Sequence, residues 1–130
     1  MFSGKPITKF NEFGMFTGLN SMRDGSFFNC SLLTEITLPN NLTTIPGVTF
    51  RDTHIAELVV PAGVRSIGSQ AFSTSYLTKI TMLGTTPPSI ATNCFNDTYR
   101  YYYVPASALD TYKAADVWSS HVNNILAIPE

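Results

Sequence analysis

Between Leu33 and Leu38 apolar residues alternate with polar ones in the order Leu-x-x-Ile-x-Leu, with Thr34, Glu35 and Thr37 between them. The pattern returns. Leu33, Ile36 and Leu38 recur as Ile55, Leu58 and Val60, then as Leu77, Ile80 and Met82, and then as Tyr99, Tyr102 and Val104, each copy 22 residues after the last. Pro39, Pro61 and Pro105 follow three of the four copies directly. Because proline withdraws a ladder donor, it marks the end of each predicted strand. The second half of the unit repeats too: Leu42 and Ile45 return as Val64 and Ile67, and Phe28, Phe50 and Phe72 stand 22 residues apart. One inserted residue in the turn Gly84-Thr85-Thr86-Pro87-Pro88 shifts the third copy to Ile90 and Phe95, and Leu19 and Met22 form the tail of an earlier, irregular copy ending at Phe28.

A period of about 20–29 residues with this heart is the signature of a leucine-rich-repeat solenoid, in which each unit supplies one short strand and a returning segment. A single unit cannot bury its apolar face, whereas stacked units can. The predicted fold is therefore a β-rich α/β solenoid with a parallel strand ladder. Its terminal units must shield the ends of the core. From Ala106 to Trp118 the sequence ASALDTYKAADVW places Leu109, Tyr112 and Val117 or Trp118 near one helical face, just after Pro105, and predicts a C-terminal capping helix. Val122, Ile125, Leu126 and Ile128 predict a last extended segment laid against that helix. Ile7, Phe10, Phe13 and Phe16, at i+3 spacing, predict a short helix over the first coil. The division expected is residues 1–26 for an N-terminal cap and irregular first repeat, 27–104 for the 22-residue repeats, and 105–130 for the capping helix and tail.

Composition narrows the classes of function. The chain has 130 residues, 44% hydrophobic and 13% charged, which fits one compact unit with a real core. With 8 basic against 9 acidic residues and no basic run, it carries no electrostatic footprint for nucleic acid or an anionic membrane. Apolar runs of a few residues exclude direct membrane insertion, and the first residues lack the pattern of a secretory signal. Low Lys and Glu with abundant Thr, Ser and Asn is typical of extracellular β proteins. Cys30 and Cys94 are too few for a disulfide framework and are expected as two free, packed thiols. Sequons begin at Asn29, Asn41 and Asn96.

The stretches FNEFGMFTGLNSM, FFNCSLLTEITLPNNLTTI, IAELVVPAGVRSIGSQAF and LGTTPPSIA, with the closing YVPASALDTYKAADVW, resemble BspA-like leucine-rich repeats of bacterial surface proteins. The resemblance covers roughly Ile7 to Pro129. It implies a short right-handed solenoid, part of an exported or surface-anchored protein at the cell surface or secreted, with members that adhere to host matrix proteins or to other cells. It brings no catalytic motif and no cofactor. The partner it implies is a host or bacterial surface protein or a glycan.

Strand geometry selects the candidate surface. If Leu33, Ile36 and Leu38 face the core, the residues between them face outward and stack with their copies. One column is Glu35, Glu57, Lys79 and Tyr101; the next is Thr37, Val59, Thr81 and Tyr103. Aromatics beside charges suit recognition, because Tyr offers a large contact area and a hydroxyl at low entropic cost. The structural alternative is that Thr and Tyr serve only β propensity and cross-strand pairing, the module being a spacer or stalk. In the Tyr99-Arg100-Tyr101-Tyr102-Tyr103 cluster, alternation assigns Tyr99 and Tyr102 to the core and leaves Arg100 to lie against a ring.

Other chemistry finds little support. His54 and His121 have no cysteine or carboxylate at zinc-ligand spacing, and Asp52, Asp97 and Asp110 are scattered one per segment, so no metal site is expected. The Gly84 to Pro88 turn lacks the glycine pattern and lysine of a phosphate loop. No carboxylate is placed to orient a Cys–His pair, so no catalytic residue is assigned. The apolar residues near Phe10 to Phe16 either cap the solenoid or pair two chains.

Overall fold

In the computed structural model, which describes residues 2–74, 76–96 and 99–129, the chain winds into coils whose strands are all parallel. The main sheet contains β4 (Glu57–Val60), β6 (Lys79–Met82), β8 (Tyr101–Val104) and β9 (Ile125–Ala127), in that order. On the returning side, β3 (Thr44–Ile45), β5 (Ser66–Ile67) and β7 (Ser89–Ile90) form a second sheet, and near the N-terminus β1 (Lys9–Phe10) pairs with β2 (Glu35–Ile36). Registers follow the repeat: Glu57 lies beside Lys79 and Lys79 beside Tyr101, while Ser66 lies beside Ser89 because the third copy carries its extra residue between the two.

Alternation decides what enters the core. β4, β6 and β8 each bury their second and fourth residues, so Leu58, Ile80 and Tyr102 stack behind the main sheet, with Val60, Met82 and Val104 beside them. Ile45, Ile67 and Ile90 meet them from the second sheet. A column of rings closes the third side. Phe27, Phe50, Phe72 and Phe95 stack nearly parallel with centroids 5.5, 5.9 and 5.5 Å apart, each pair adding about 0.5–1.5 kcal/mol beyond area burial. Phe2 extends the column at one end, 5.3 Å from Phe27, and Trp118 meets Phe95 edge-on at the other.

Three expectations change here. The column begins at Phe27 rather than Phe28, because the first corner, Phe27 to Glu35, is one residue longer than the corner from Phe50 to Glu57. Phe28 is left half-buried, with the Arg51 guanidinium 5.7 Å from its ring centroid. At the N-terminus the i+3 spacing gives a 3-10 turn at Asn11–Met15, while Phe10 belongs to β1; three residues per turn is the period of that helix. Phe13 is buried there, and Met15 and Phe16 are exposed. At the C-terminus the capping segment contains a 3-10 turn, the helix α1 (Leu109–Ala114) and a second 3-10 stretch at Trp118–Asn124. The last extended segment is β9, which adds a rung to the main sheet beside β8 instead of lying only on the helix.

The cap is held by the turn that carries the insertion. Tyr112 donates to Gly84 O at 2.9 Å, and Trp118 Nε1 donates to Pro88 O at 2.8 Å. Two carbonyls of that turn thus find buried donors.

Candidate functional site

Six of the eight outward residues form one block. Glu57, Lys79 and Tyr101 lie side by side across β4, β6 and β8, and Val59, Thr81 and Tyr103 lie side by side in the adjacent column. Val59 is 51% exposed although it stands in the middle of a strand. Lys79 Nζ sits 5.1 Å from the Tyr103 ring centroid, a cation–π contact that orients both side chains.

Glu35 and Thr37 stand apart from that block. β2 pairs with β1 and not with β4, and Asn11 of the N-terminal turn spans both side chains. Its Nδ2 donates to Glu35 Oε2 at 2.5 Å, and its Oδ1 accepts from Thr37 Oγ1 at 2.8 Å. Gly14 is packed against Thr37 so closely that a Cβ there would lie 2.7 Å from Thr37 Cγ2. Where the ladder is interrupted between β2 and β4, a groove of about 430 Å³ opens on the outward face. Leu38, Val59 and Leu83 are among its apolar lining, and Glu57 and Lys79, neighbours on β4 and β6, give it charges of opposite sign. Sequence reasoning missed this seam, because the apolar pattern of Leu33 to Leu38 is as regular as that of its copies.

The tyrosine cluster divides differently from the expectation. Tyr99, assigned to the core by its spacing, is 65% exposed, and Arg100 is 1% exposed. The corner explains the exchange. Phe95 comes one residue late, so the path from Phe95 to Tyr101 is one residue shorter than the path from Phe72 to Lys79, and the residue next to the strand fills the core position. The Tyr99 and Tyr101 hydroxyls meet at 2.8 Å, and this hydrogen bond holds the Tyr99 phenol above its ordinary pKa. Neutral acceptors surround the Arg100 guanidinium in the core: Nε donates to Leu77 O at 2.9 Å, Nη2 to Thr74 O at 3.2 Å and to Asn96 Oδ1 at 2.7 Å. Its guanidinium lies 5.2 Å from the Phe95 ring centroid.

Both cysteines are free and buried. Cys30 donates to Phe2 O at 3.0 Å, and burial raises its pKa; burial pushes Cys94 up to about 12. Protonated thiols are poor nucleophiles. His121 packs against Tyr102 and Phe95, and its pKa is lowered by burial and then by the charge of Arg100. His54 lies at a corner, half-buried, with its ring 3.9 Å from that of Tyr76. Among the described residues no group of three His, Cys, Asp or Glu side chains converges as a metal site, and no helix is long and apolar enough to cross a membrane. Asn29 and Asn41, which open two sequons, are exposed. The third sequon runs into Asp97 and Thr98, outside the described residues.

Stacked parallel rungs, an alternating core and an outward face of register-aligned side chains define a leucine-rich-repeat module. The BspA type leucine rich repeat region, in six copies, matches residues 2–109, and the chain belongs to that family. Comparison with curated proteins finds no match.

Proposed function

We propose that this chain is a non-enzymatic recognition module that binds a protein partner across the outward face of its main sheet, as part of a bacterial cell-surface or secreted protein, in adhesion or recognition. The observation that supports this most is the block of Glu57, Lys79, Tyr101, Val59, Thr81 and Tyr103 in register beside an open groove with apolar walls. An exposed valine and leucine between opposite charges and tyrosines match the composition of protein interfaces, with an apolar centre and a polar rim. On this reading the solenoid is right-handed with a 22-residue unit, residues 27–104 carry recognition, and residues 1–26 and 105–130 close its ends. Thr37 contributes to the lining of the groove, and Asn11 holds it together with Glu35.

The test is a binding panel of purified extracellular-matrix proteins with the chain and a triple variant, Glu57→Lys, Lys79→Glu and Tyr101→Ala. At least one member should bind the native chain, and the variant should bind it about tenfold or more weakly, with an unchanged melting temperature. Equal binding by both chains overturns the ladder face as the site. Failure of the native chain to bind any member favours a spacer or stalk with an inert face.

A further inference from the structure

A second depression of about 420 Å³ lies one corner away from the main sheet, where the chain turns from the ring column into the strands. That size falls within the roughly 300–1,000 Å³ of small-molecule sites. Its side chains come from the same corner of successive coils. Asn29 N donates to Arg51 O, and Asp52 N donates to Ser73 O, which lines up Asn29, Asp52 and Ser73 along one edge. Ser31 and Tyr76 line the depression as well, and the Tyr76 ring stacks on His54.

Two features mark this corner. The Tyr76 side chain is 51% exposed, yet its ring is fixed by a near-parallel stack on His54, with centroids 3.9 Å apart and planes 28° from parallel. His54 Nδ1 is buried in this arrangement with no hydrogen-bond partner among the described residues. Leaving such a nitrogen unpaired is unfavourable, so packing alone does not favour the stack. In addition, Asn29 and Asp52 hold left-handed backbone at φ 59° and 60°, which sets both short polar side chains at the rim.

The charge balance selects the ligand class. Arg51 is the cation of the depression, and it is engaged three ways: Nε lies 3.6 Å from Asp52 Oδ2, Nη1 donates to Gln70 Oε1 at 3.0 Å, and the guanidinium rests over Phe28. An anion gains little from a cation already paired and meets the Asp52 carboxylate. The Asn29 amide and the Ser31 and Ser73 hydroxyls instead both donate to and accept from alcohols, and the Asp52 carboxylate accepts from them. An exposed aromatic face beside such groups suits a ring with one apolar C–H face and hydroxyls around its edge. We infer that this corner is a binding site for a neutral carbohydrate, a hexopyranose unit packed on Tyr76 and hydrogen-bonded by Asn29, Asp52 and Ser73, separate from the ladder face.

The experiment is an amide NMR titration of the ¹⁵N-labelled chain, made in a bacterial host so that the Asn29 and Asn41 sequons stay unmodified. The probes are the methyl glycosides of glucose, galactose, mannose and N-acetylglucosamine, with glucuronic acid as the anionic counterpart. At least one neutral glycoside should give saturable shifts at Ser31, Asp52, His54 and Tyr76. Tyr76→Ser should weaken its binding about tenfold, and Asp52→Gly, which tolerates the positive φ, should weaken it as well. Tyr101→Ala should leave it unchanged. The inference fails if no neutral glycoside gives saturable shifts, if glucuronic acid binds better, if the shifts fall on β4, β6 and β8, or if a well-dispersed Tyr76→Ser spectrum shows undiminished binding.

Discussion

Leu33 O accepts from the His54 amide of the following coil, whereas Leu77 O accepts from the side chain of Arg100. At the last full corner the guanidinium also reaches back to Thr74 O and across to Asn96 Oδ1. Arginine is suited to this because its several donors lie in a fixed plane and its charge is weakly hydrated compared with an ammonium. Arg100→Met fills the volume but leaves buried carbonyls without donors. The expected loss is about 3 kcal/mol, from charge-assisted bonds worth roughly 1.5–3 kcal/mol each and incomplete replacement by water; urea denaturation at neutral pH measures it. A variant as stable as the native chain would show that those carbonyls find other partners.

At the scale of elements, the strands were legible and their corners were not. Strand positions announce themselves because one face is buried: Leu58, Ile80 and Tyr102 could be placed from spacing alone, and the structure pairs them in that register. Corners have no such constraint, and a single residue gained or lost there moves Phe27 into the column in place of Phe28 and Arg100 into the core in place of Tyr99. The groove between β2 and β4 was hidden for a related reason, since it depends on Asn11 and Gly14 from a distant segment. Close backbone approach between coils was equally invisible. A Cβ on Gly68 would lie 2.5 Å from Gly47 N, and that neighbour is backbone and cannot rotate away. Gly68→Ala should therefore cost about 1–3 kcal/mol through overpacking. Gly47→Ala, whose Cβ would first meet Ser69 O at 3.1 Å, should cost less. Thermal melts of the two variants check the order, and equal losses would contradict the stacking of these glycines.

For the whole molecule, the ends of the solenoid and its outward face do different work. Phe2 at one end and Trp118 at the other close the ring column, while β9 and the segment around α1 cover the last coil and bind the insertion turn through Tyr112 and Trp118. The face between those ends carries side chains that the core does not need. Exposed Val59, paired Lys79 and Tyr103, and Tyr101 add little to packing, and the proposed recognition role rests on them. Hydroxyl-radical footprinting of the chain alone and in complex with a matrix protein that it binds tests this most directly, because it reads side chains and not the already bonded ladder amides. The account predicts that Tyr101, Tyr103 and Val59 lose reactivity on binding while Met15 and Tyr76 keep theirs; unchanged reactivity at Tyr101 and Tyr103, with protection elsewhere, would contradict it.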